Sequence, residues 1–408
     1  MANIDGIPFA LPYIGKEEEE AVLRVLRSGW LTTAKEALNF ENEFASFLQE
    51  DCGKGLSALA VNSATSGLHL ALEACGVGSG DIVLLPTYTF AATAEVVFYT
   101  GAEPVFVDCA EGSFNIDCNL LEKTAERLAQ GKTAYPKGGP KGMPKAVMPV
   151  HFGGLPCDIE DIMSIARRFN MMVIEDAAHA FPAKTKEGSA AGTCGDAGVF
   201  SFYATKTITT GEGGMLVTRN SDIAKKVELL RLHGIDRPIW NRYSSGALKT
   251  KSAAWLYDIT APGYKYNLCD ILAAIGRVQL RRARDLLAMR KKIAAIYDAA
   301  FGDCRCFIIP PSSVGDARHL YPLRIKDCPV TRNDIIVKLK EKNIGASVHF
   351  IPLHSMSYYK NLYNFNDDDF PSALKNFLCE ISLPIWPGMT EQATEEIINA
   401  VKEICGVC

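Results

Sequence analysis

No uninterrupted apolar run in this chain is long enough to span a bilayer. Met1 to Lys16 contains no basic segment followed by an apolar stretch, so no export signal is expected, and the reading is a protein of the cytoplasm. There is no surplus of positive charge: 43 Lys and Arg stand against 47 Asp and Glu, a net charge of -4. The basic residues are scattered, which argues against a nucleic-acid or membrane surface. The short runs Arg281-Arg282-Ala283-Arg284 and Arg290-Lys291-Lys292 fall in a helical pattern and are expected to form a solvated helix face. The 13 cysteines, in a protein without export, are expected to be mostly free thiols. Cys405-Gly406-Val407-Cys408 has no second C-x-x-C to complete a metal site, and Cys304-Arg305-Cys306 has the wrong spacing, so no metal is expected. Gly192, Gly195 and Gly198 are spaced G-x-x-G-x-x-G, which is not the dinucleotide fingerprint, and no strand directly precedes them. The Walker pattern, H-E-x-x-H and G-x-S-x-G are all absent, which removes the usual signatures of P-loop nucleotide hydrolysis, zinc proteolysis and serine hydrolysis. No internal repeat and no low-complexity segment is present.

What is present is ordinary globular composition over 408 residues, 48% hydrophobic and 22% charged, enough to bury a large core. Glu17 to Ser28 and Ala37 to Leu48 read as amphipathic helices. From Leu56 onward, short apolar runs alternate with helical patterns. The runs are 58–61, 81–85, 104–107, 146–150 and 172–174; Ser66 to Cys75 and Ile159 to Phe169 are among the helices between them. Such alternation implies a mostly parallel sheet covered on both faces. Lys132 to Lys145, with three prolines and three glycines, is a surface loop. A helix is expected over Asp222 to His233. The polar stretch Gly234 to Lys251 has no period and is expected to be a functional loop or an oligomer contact. Cys269 to Phe301 reads as one long helix that could join two domains. The division is therefore a large domain over 1–265, then a linking helix and small C-terminal domain over 266–408.

Two runs carry the chemistry. In Val173-Ile174-Glu175-Asp176-Ala177-Ala178-His179-Ala180 and in Phe200-Ser201-Phe202-Tyr203-Ala204-Thr205-Lys206, an apolar stretch ends and an ionisable residue follows. Parallel sheets bind ligands at the carboxyl ends of their strands, so Asp176 and Lys206 can converge on one small molecule. Pyridoxal phosphate needs that pair: an amine for its aldehyde and an acid for its pyridine nitrogen. Read alone, Asp176 is a helix N-cap and Lys206 a surface lysine; together they point to the cofactor. Its phosphate requires backbone donors at a helix start, which Asn62-Ser63-Ala64-Thr65-Ser66-Gly67 offers, and Ser201 could add a hydroxyl. Phe90, or second to it Tyr88, could stack on the ring, the alternative being a core aromatic. His179 lies three residues past Asp176 and could reach the ring.

These runs resemble the sugar aminotransferases of the DegT/DnrJ/StrS family, as do Ser28 to Thr33, Thr89-Phe90, Val150 to Gly154, Gly263-Tyr264-Lys265-Tyr266-Asn267-Leu268, Val348 to His354 and Ser382-Leu383-Pro384. The resemblance covers nearly the whole chain. It implies the α/β fold type I architecture of aspartate aminotransferase, with a mostly parallel large domain and a smaller α+β domain. It implies pyridoxal phosphate on Lys206, cycling through pyridoxamine phosphate, with a pyridine contact from Asp176 and His179 near the ring. Ser201 and the Ala64-Thr65 backbone would hold the phosphate, and Phe90 would stack. It further implies a homodimer with shared active sites, in which Lys265 stands where many members carry an asparagine that reaches the partner's phosphate. The substrates implied are L-glutamate and a nucleotide-linked keto sugar, and Tyr264 to Asn267 looks like the branch that aminates C4. Such sugars serve cell-surface polysaccharides or natural products. Trp30, Thr33, His349 and His354 would lie on the sugar side; the two histidines could equally be structural. After Thr32-Thr33 the family commonly has Gly-Pro, but Ala34-Lys35 stands here. Relatives with histidine in place of the lysine are dehydratases; Lys206 favours transamination. A sensing protein of the same fold and a sugar dehydratase are the alternatives.

Overall fold

The computed structural model describes residues 6–236 and 257–407, so most of the expected loop Gly234 to Lys251 lies outside the described residues. Seven strands form the main sheet: β1 (Ser57–Val61), β2 (Ile82–Pro86), β3 (Glu103–Val107), β4 (Pro144–Val147), β5 (Met172–Asp176), β6 (Ala197–Ser201) and β7 (Gly214–Thr218), in spatial order β1-β7-β6-β5-β4-β2-β3. β3, β2, β4, β5 and β6 pair in parallel, and β7 runs antiparallel to both β6 and β1. Only β7 is reversed, so the carboxyl ends of the other six strands share one edge. At that edge Val61, Gly214 and Ser201 sit side by side.

The strands are apolar throughout because both faces are covered. Alternate side chains go to opposite layers. The two helices expected at the start of the chain are α1 (Lys16–Ser28) and α2 (Lys35–Cys52). Val83 and Leu85 of β2 pack with α3 (Ala64–Ala74) and α4 (Ala91–Tyr99), whereas Ile82 and Leu84 pack with α5 (Cys118–Ala129) and α6 (Ile159–Arg168). β4 stops before the expected residue 150 because Pro149 offers no N–H to the ladder; pairing resumes as a single bridge between Val150 and Asp176.

The expected single helix over Cys269 to Phe301 is two, Asp270–Arg281 and Ala283–Phe301, broken at Arg282. Gln279 to Arg284 are all good helix formers, so the cause is tertiary. Gln279 and Arg282 both donate to the buried Glu18, at 2.7 and 2.8 Å. Along the second helix the core changes hands. Ala283 and Leu286 pack into a core against the seven-stranded sheet, that of the expected large domain, while Ile293, Ala294, Tyr297 and Phe301 pack into a second core around β8 (Phe307–Ile308), β9 (Tyr321–Ile325) and β10 (Glu380–Leu383). Ile7, near the start of the chain, also packs into that second core.

Arg290 lies at the changeover, and the solvated face expected for residues 290–292 does not hold there. Arg290 is 2% exposed, and its guanidinium donates to the carbonyls of His319, Ile385 and Thr205 at 3.1, 2.8 and 3.4 Å. Three carbonyls converging from separate segments make a socket that only a charged fork fills. The described cysteines are free thiols. Those of Cys304, Cys306, Cys328 and Cys405 gather in the second core, although among the described residues no three His, Cys, Asp or Glu side chains are arranged to hold a metal ion. Cys408 lies outside the described residues.

Candidate active site

A cavity of about 510 Å³ opens at the carboxyl edge of the sheet, lined by Ser63, Ala64, Thr65, Thr89, Phe90, Thr93, Asp176, His179, Ser201, Lys206, His319, His349 and Phe350 among others. β5 ends in two carboxylates, of which one reaches the cavity. Successive residues of a strand face opposite sides, so Glu175 turns away and Asp176 turns in. Glu175 is fully buried and accepts from the amides of Gly192, Cys194 and Gly195 at 2.9, 2.7 and 2.7 Å and from His151 Nε2 at 2.9 Å. Burial alone would raise its pKa, but His151 and the amides outweigh burial and hold it below the ordinary carboxylate value. The glycines at 192 and 195, which carry no dinucleotide fingerprint, therefore serve as a cradle for this carboxylate.

Asp176 is the last residue of its strand rather than a helix cap. One carboxylate oxygen accepts from Thr93 Oγ1 at 2.9 Å and the other from the Ala178 amide at 3.1 Å. Burial raises its pKa; those donors and the nearby Lys206 charge oppose the rise. A buried carboxylate this poor in counter-charge favours a cationic N–H arriving in the cavity.

The other end of the cavity is a helix start. Ser63 caps α3, its Oγ accepting from the Ser66 amide at 3.1 Å. The amides of Ala64 and Thr65 then point onward with no protein acceptor among the described residues. Helix N-termini of this kind bind phosphate. Ser201 Oγ accepts from the Tyr203 amide at 3.3 Å, which leaves its own proton to donate. Gly214 is required here, because a Cβ on it would come within 2.8 Å of the Ala64 nitrogen. Gly214→Ala should therefore cost about 1–3 kcal/mol in urea unfolding and weaken phosphate-dependent cofactor loading in equilibrium dialysis; a variant of normal stability that loads normally would contradict this close approach.

Lys206 lies five residues past the end of β6, in a turn rather than at the strand end. Its amide donates to the Tyr203 carbonyl at 3.0 Å, and the Thr210 amide donates to the Phe202 carbonyl at 2.9 Å. The residue as a whole is half-buried, and its side chain lines the cavity. Desolvation lowers its pKa to about 8, against the pull of Asp176 and with the help of Arg290. A fraction of the amine is then neutral near pH 7, as a nucleophile or a proton acceptor must be.

The walls are aromatic. Phe90 precedes α4 and is 62% exposed, so it is not a core aromatic, whereas Tyr88 is fully buried against Phe114 and Phe152. His179 Nδ1 accepts from the Gly153 amide at 3.3 Å, which puts its proton on Nε2. Its ring lies 4.5 Å from that of His319 and is stacked 5.9 Å from Phe350. Burial holds both histidines well below their ordinary pKa, so both are neutral. His319 Nδ1 is buried without a partner among the described residues.

Of the residues read from sequence, Lys206, Asp176, His179, Ala64, Thr65, Phe90, Ser201 and His349 come together. Four do not line the cavity in their own chain. Lys265 is exposed and its ammonium donates to Asn267 Oδ1. Thr33 Oγ1 donates to the Leu268 carbonyl and accepts from Asn267, each at 2.5 Å. Ala34, in place of the commoner glycine, gives its amide to Asp270 Oδ1 at 2.7 Å. The amide of Trp30 donates to Ser28 Oγ at 3.1 Å. His354 is fully buried, its Nδ1 2.8 Å from Thr87 Oγ1 and its Nε2 3.2 Å from the Asp367 carbonyl, so both ring nitrogens serve the fold. Thr93, His319 and Arg290 were not found from sequence. Thr93 lies in the Phe90 run, where its hydroxyl type was the available signal. His319 and Arg290 carry no local signal at all.

Open amides, a buried acid, a perturbed amine and flat ring walls in one cavity fit pyridoxal phosphate group by group. A family model described as the DegT/DnrJ/EryC1/StrS aminotransferase family matches residues 12–402. The chain is 41% identical over 403 residues to the spore coat polysaccharide biosynthesis protein SpsC of Bacillus subtilis, covering 98% of this chain and 97% of that one. Its fold is similar to that of Spr1654 from Streptococcus pneumoniae, solved in PLP and PMP forms. The PMP form aligns with TM-score 0.84 at 30% identity, over 98% of this chain and 99% of the other. It is also similar to Helicobacter pylori PseC, an aminotransferase involved in pseudoaminic acid biosynthesis, with TM-score 0.84 at 27% identity over 98% and 100% of the two chains.

Proposed function

Since the chain belongs to the DegT/DnrJ/EryC1/StrS aminotransferase family, we propose that it transfers the amino group of L-glutamate to C4 of a nucleotide-linked keto sugar. The broader class follows from the membership itself: a pyridoxal-phosphate-dependent sugar aminotransferase of fold type I. The observation that carries the amino-transfer chemistry is Lys206 and the buried Asp176 on the walls of one cavity whose far end offers open amides. When bound, the cofactor supplies a carbonyl carbon that holds nitrogen and a ring that takes up electrons from the substrate carbon. Asp176 would hold the ring nitrogen protonated, kept in place by Thr93 and Ala178. The Ala64 and Thr65 amides and Ser201 would hold the phosphate, and Phe90 and His179 would confine the ring. Lys206 Nζ would take the proton from the α-carbon of glutamate and, in the second half, return a proton to the sugar carbon.

The stacked pair Tyr264 and Tyr266, 5.0 Å apart with planes 7° from parallel, gives the run 264–267 a fixed shape. That run supports C4 as the aminated carbon, through its likeness to the C4 branch. The same run turns Lys265 outward, which supports a shared site in a homodimer. Its work would belong to the cytoplasm, in making sugars for polysaccharides or natural products; among the described residues no helix is long and apolar enough to cross a membrane. The test is absorbance of the purified protein with pyridoxal phosphate, before and after L-glutamate, followed by mass spectrometry with nucleotide-linked 4-keto sugars. The visible band of lysine-bound cofactor should give way to that of pyridoxamine phosphate, and the sugar should gain nitrogen. A band that glutamate does not move, or a sugar that loses a hydroxyl without gaining nitrogen, would overturn the proposal.

A further inference from the structure

One carboxylate close to the cavity has no part in the scheme above. Glu380, on β10, is completely buried. Its Oε1 accepts from Ser382 Oγ at 2.5 Å, and Ser382 Oγ lies 2.9 Å from Nδ1 of His349, whose ring lines the cavity. The His349 amide donates to Glu380 Oε2 at 3.0 Å, which closes the loop. A serine hydroxyl has one proton, so this chain has two self-consistent arrangements. With Glu380 ionised, Ser382 donates to it, His349 Nδ1–H donates to Ser382, and Nε2 presents a lone pair to the cavity. With Glu380 protonated on Oε1, the two side-chain bonds reverse, the His349 amide still donates to Oε2, and Nε2 presents N–H.

We propose that Glu380 is a positioning residue which, through Ser382, switches His349 between acceptor and donor toward the substrate. The inference rests on the sugar-aminotransferase reading. Passing from the first arrangement to the second takes up one proton. It binds at His349 Nε2, while the Nδ1 proton moves to Ser382 and the Ser382 proton moves to Glu380. His349 thereby accepts or gives a proton at the cavity without becoming a cation. That matters here, because burial, helped by Lys206, holds its pKa at about 4, so an imidazolium is disfavoured throughout the neutral range. In amino transfer to a keto sugar, the carbonyl oxygen leaves as water and needs a proton as it goes. A neutral donor refilled from Glu380 answers that need.

The surroundings suit the switch. Burial raises Glu380 to about 8, against Ser382, the His349 amide and Arg332. Arg332 reaches the Glu380 carbonyl, and Arg324 lies opposite Glu380 in the register of β9. Tyr88 and Cys379 also feel the Glu380 charge, while Lys206, His179 and His319 act on the His349 side. Nitrogen-15 NMR of the histidine-labelled holoenzyme reads the tautomer directly, with His349→Gln giving the assignment. In the wild type the Nδ1–H form should dominate above pH 8, and the ratio of forms should change about tenfold per pH unit. Glu380→Gln, whose amide donates to Ser382, should hold Nε2–H at every pH. If that variant does not fold, Ser382→Ala cuts the link and should remove the pH dependence. A His349 tautomer that ignores both substitutions would overturn the proposal. The single-turnover pH profile with keto sugar should lose its inflection in Glu380→Gln. If no keto sugar reacts, the functional reading fails while the NMR result stands on its own.

Discussion

Lys206→Ala should lower amino transfer from L-glutamate by about 100- to 10,000-fold, the range for loss of a positioned proton carrier, read as the rate of 2-oxoglutarate formation. A rate within tenfold of the wild type would remove Lys206 from the chemistry. The same substitution has a second, less obvious result. The folded amine loses its proton near pH 8, whereas the unfolded chain keeps it to about 10.4. Between those values the unfolded state binds more protons, so stability of the cofactor-free protein should rise with pH. Below pH 8 both states are protonated, and the cost of a buried cation stays in full. The alanine variant should lose that slope and be no less stable than the wild type at neutral pH. Urea titrations at pH 7.5 and 9.5 separate these outcomes.

Glu175→Ala should be among the most destabilising single changes in the large domain, costing about 3–5 kcal/mol. It leaves the amides of Gly192, Cys194 and Gly195 and the ring of His151 buried around nothing. Glu175→Gln should cost less, since it keeps acceptor capacity but sets an amide donor against others. Because the folded carboxylate sits below its ordinary pKa, its contribution is present above about pH 4.3 and fades as pH falls through the folded value. A loss under about 1 kcal/mol for the alanine variant would mean that the cradle closes on itself or fills with water. Damage confined to stability would also separate Glu175 from Asp176, its neighbour on the opposite face of the strand.

What could be read without coordinates was what is local. Asp176, Lys206 and the 62–67 loop lie where an apolar run ends, and the alternation of runs implied the sheet whose edge they share. Phe90 was legible because a strand-to-helix junction puts an aromatic at the rim. Contacts between remote segments were not. His354 reads like His349, five residues before it in one motif, yet one ring faces the cavity and the other is tied to Thr87 and Asp367. Arg290 shares its run with two lysines, and nothing in the run says that three carbonyls wait for it. The break at Arg282 occurs among good helix formers because a glutamate more than 260 residues away claims both Gln279 and Arg282.

Among the described residues the chain crosses between its two cores more than twice. Ile7 is packed in the smaller core and bridges to Ile344, whereas α1 (Lys16–Ser28) packs against Ala274 and Val278. The helix over Ala283–Phe301 runs from the larger core to the smaller, Leu353, Tyr359, Phe365, Phe370 and Ala373 return to the core of the seven-stranded sheet, and Ile381 and Leu383 lie in the smaller core again. Two bodies stitched together at this many points share no single hinge line, since rotation about any axis strains the crossings that lie off it. Opening of the cavity then calls for local movement of the wall that carries His319, His349 and Phe350, not for a swing of one body.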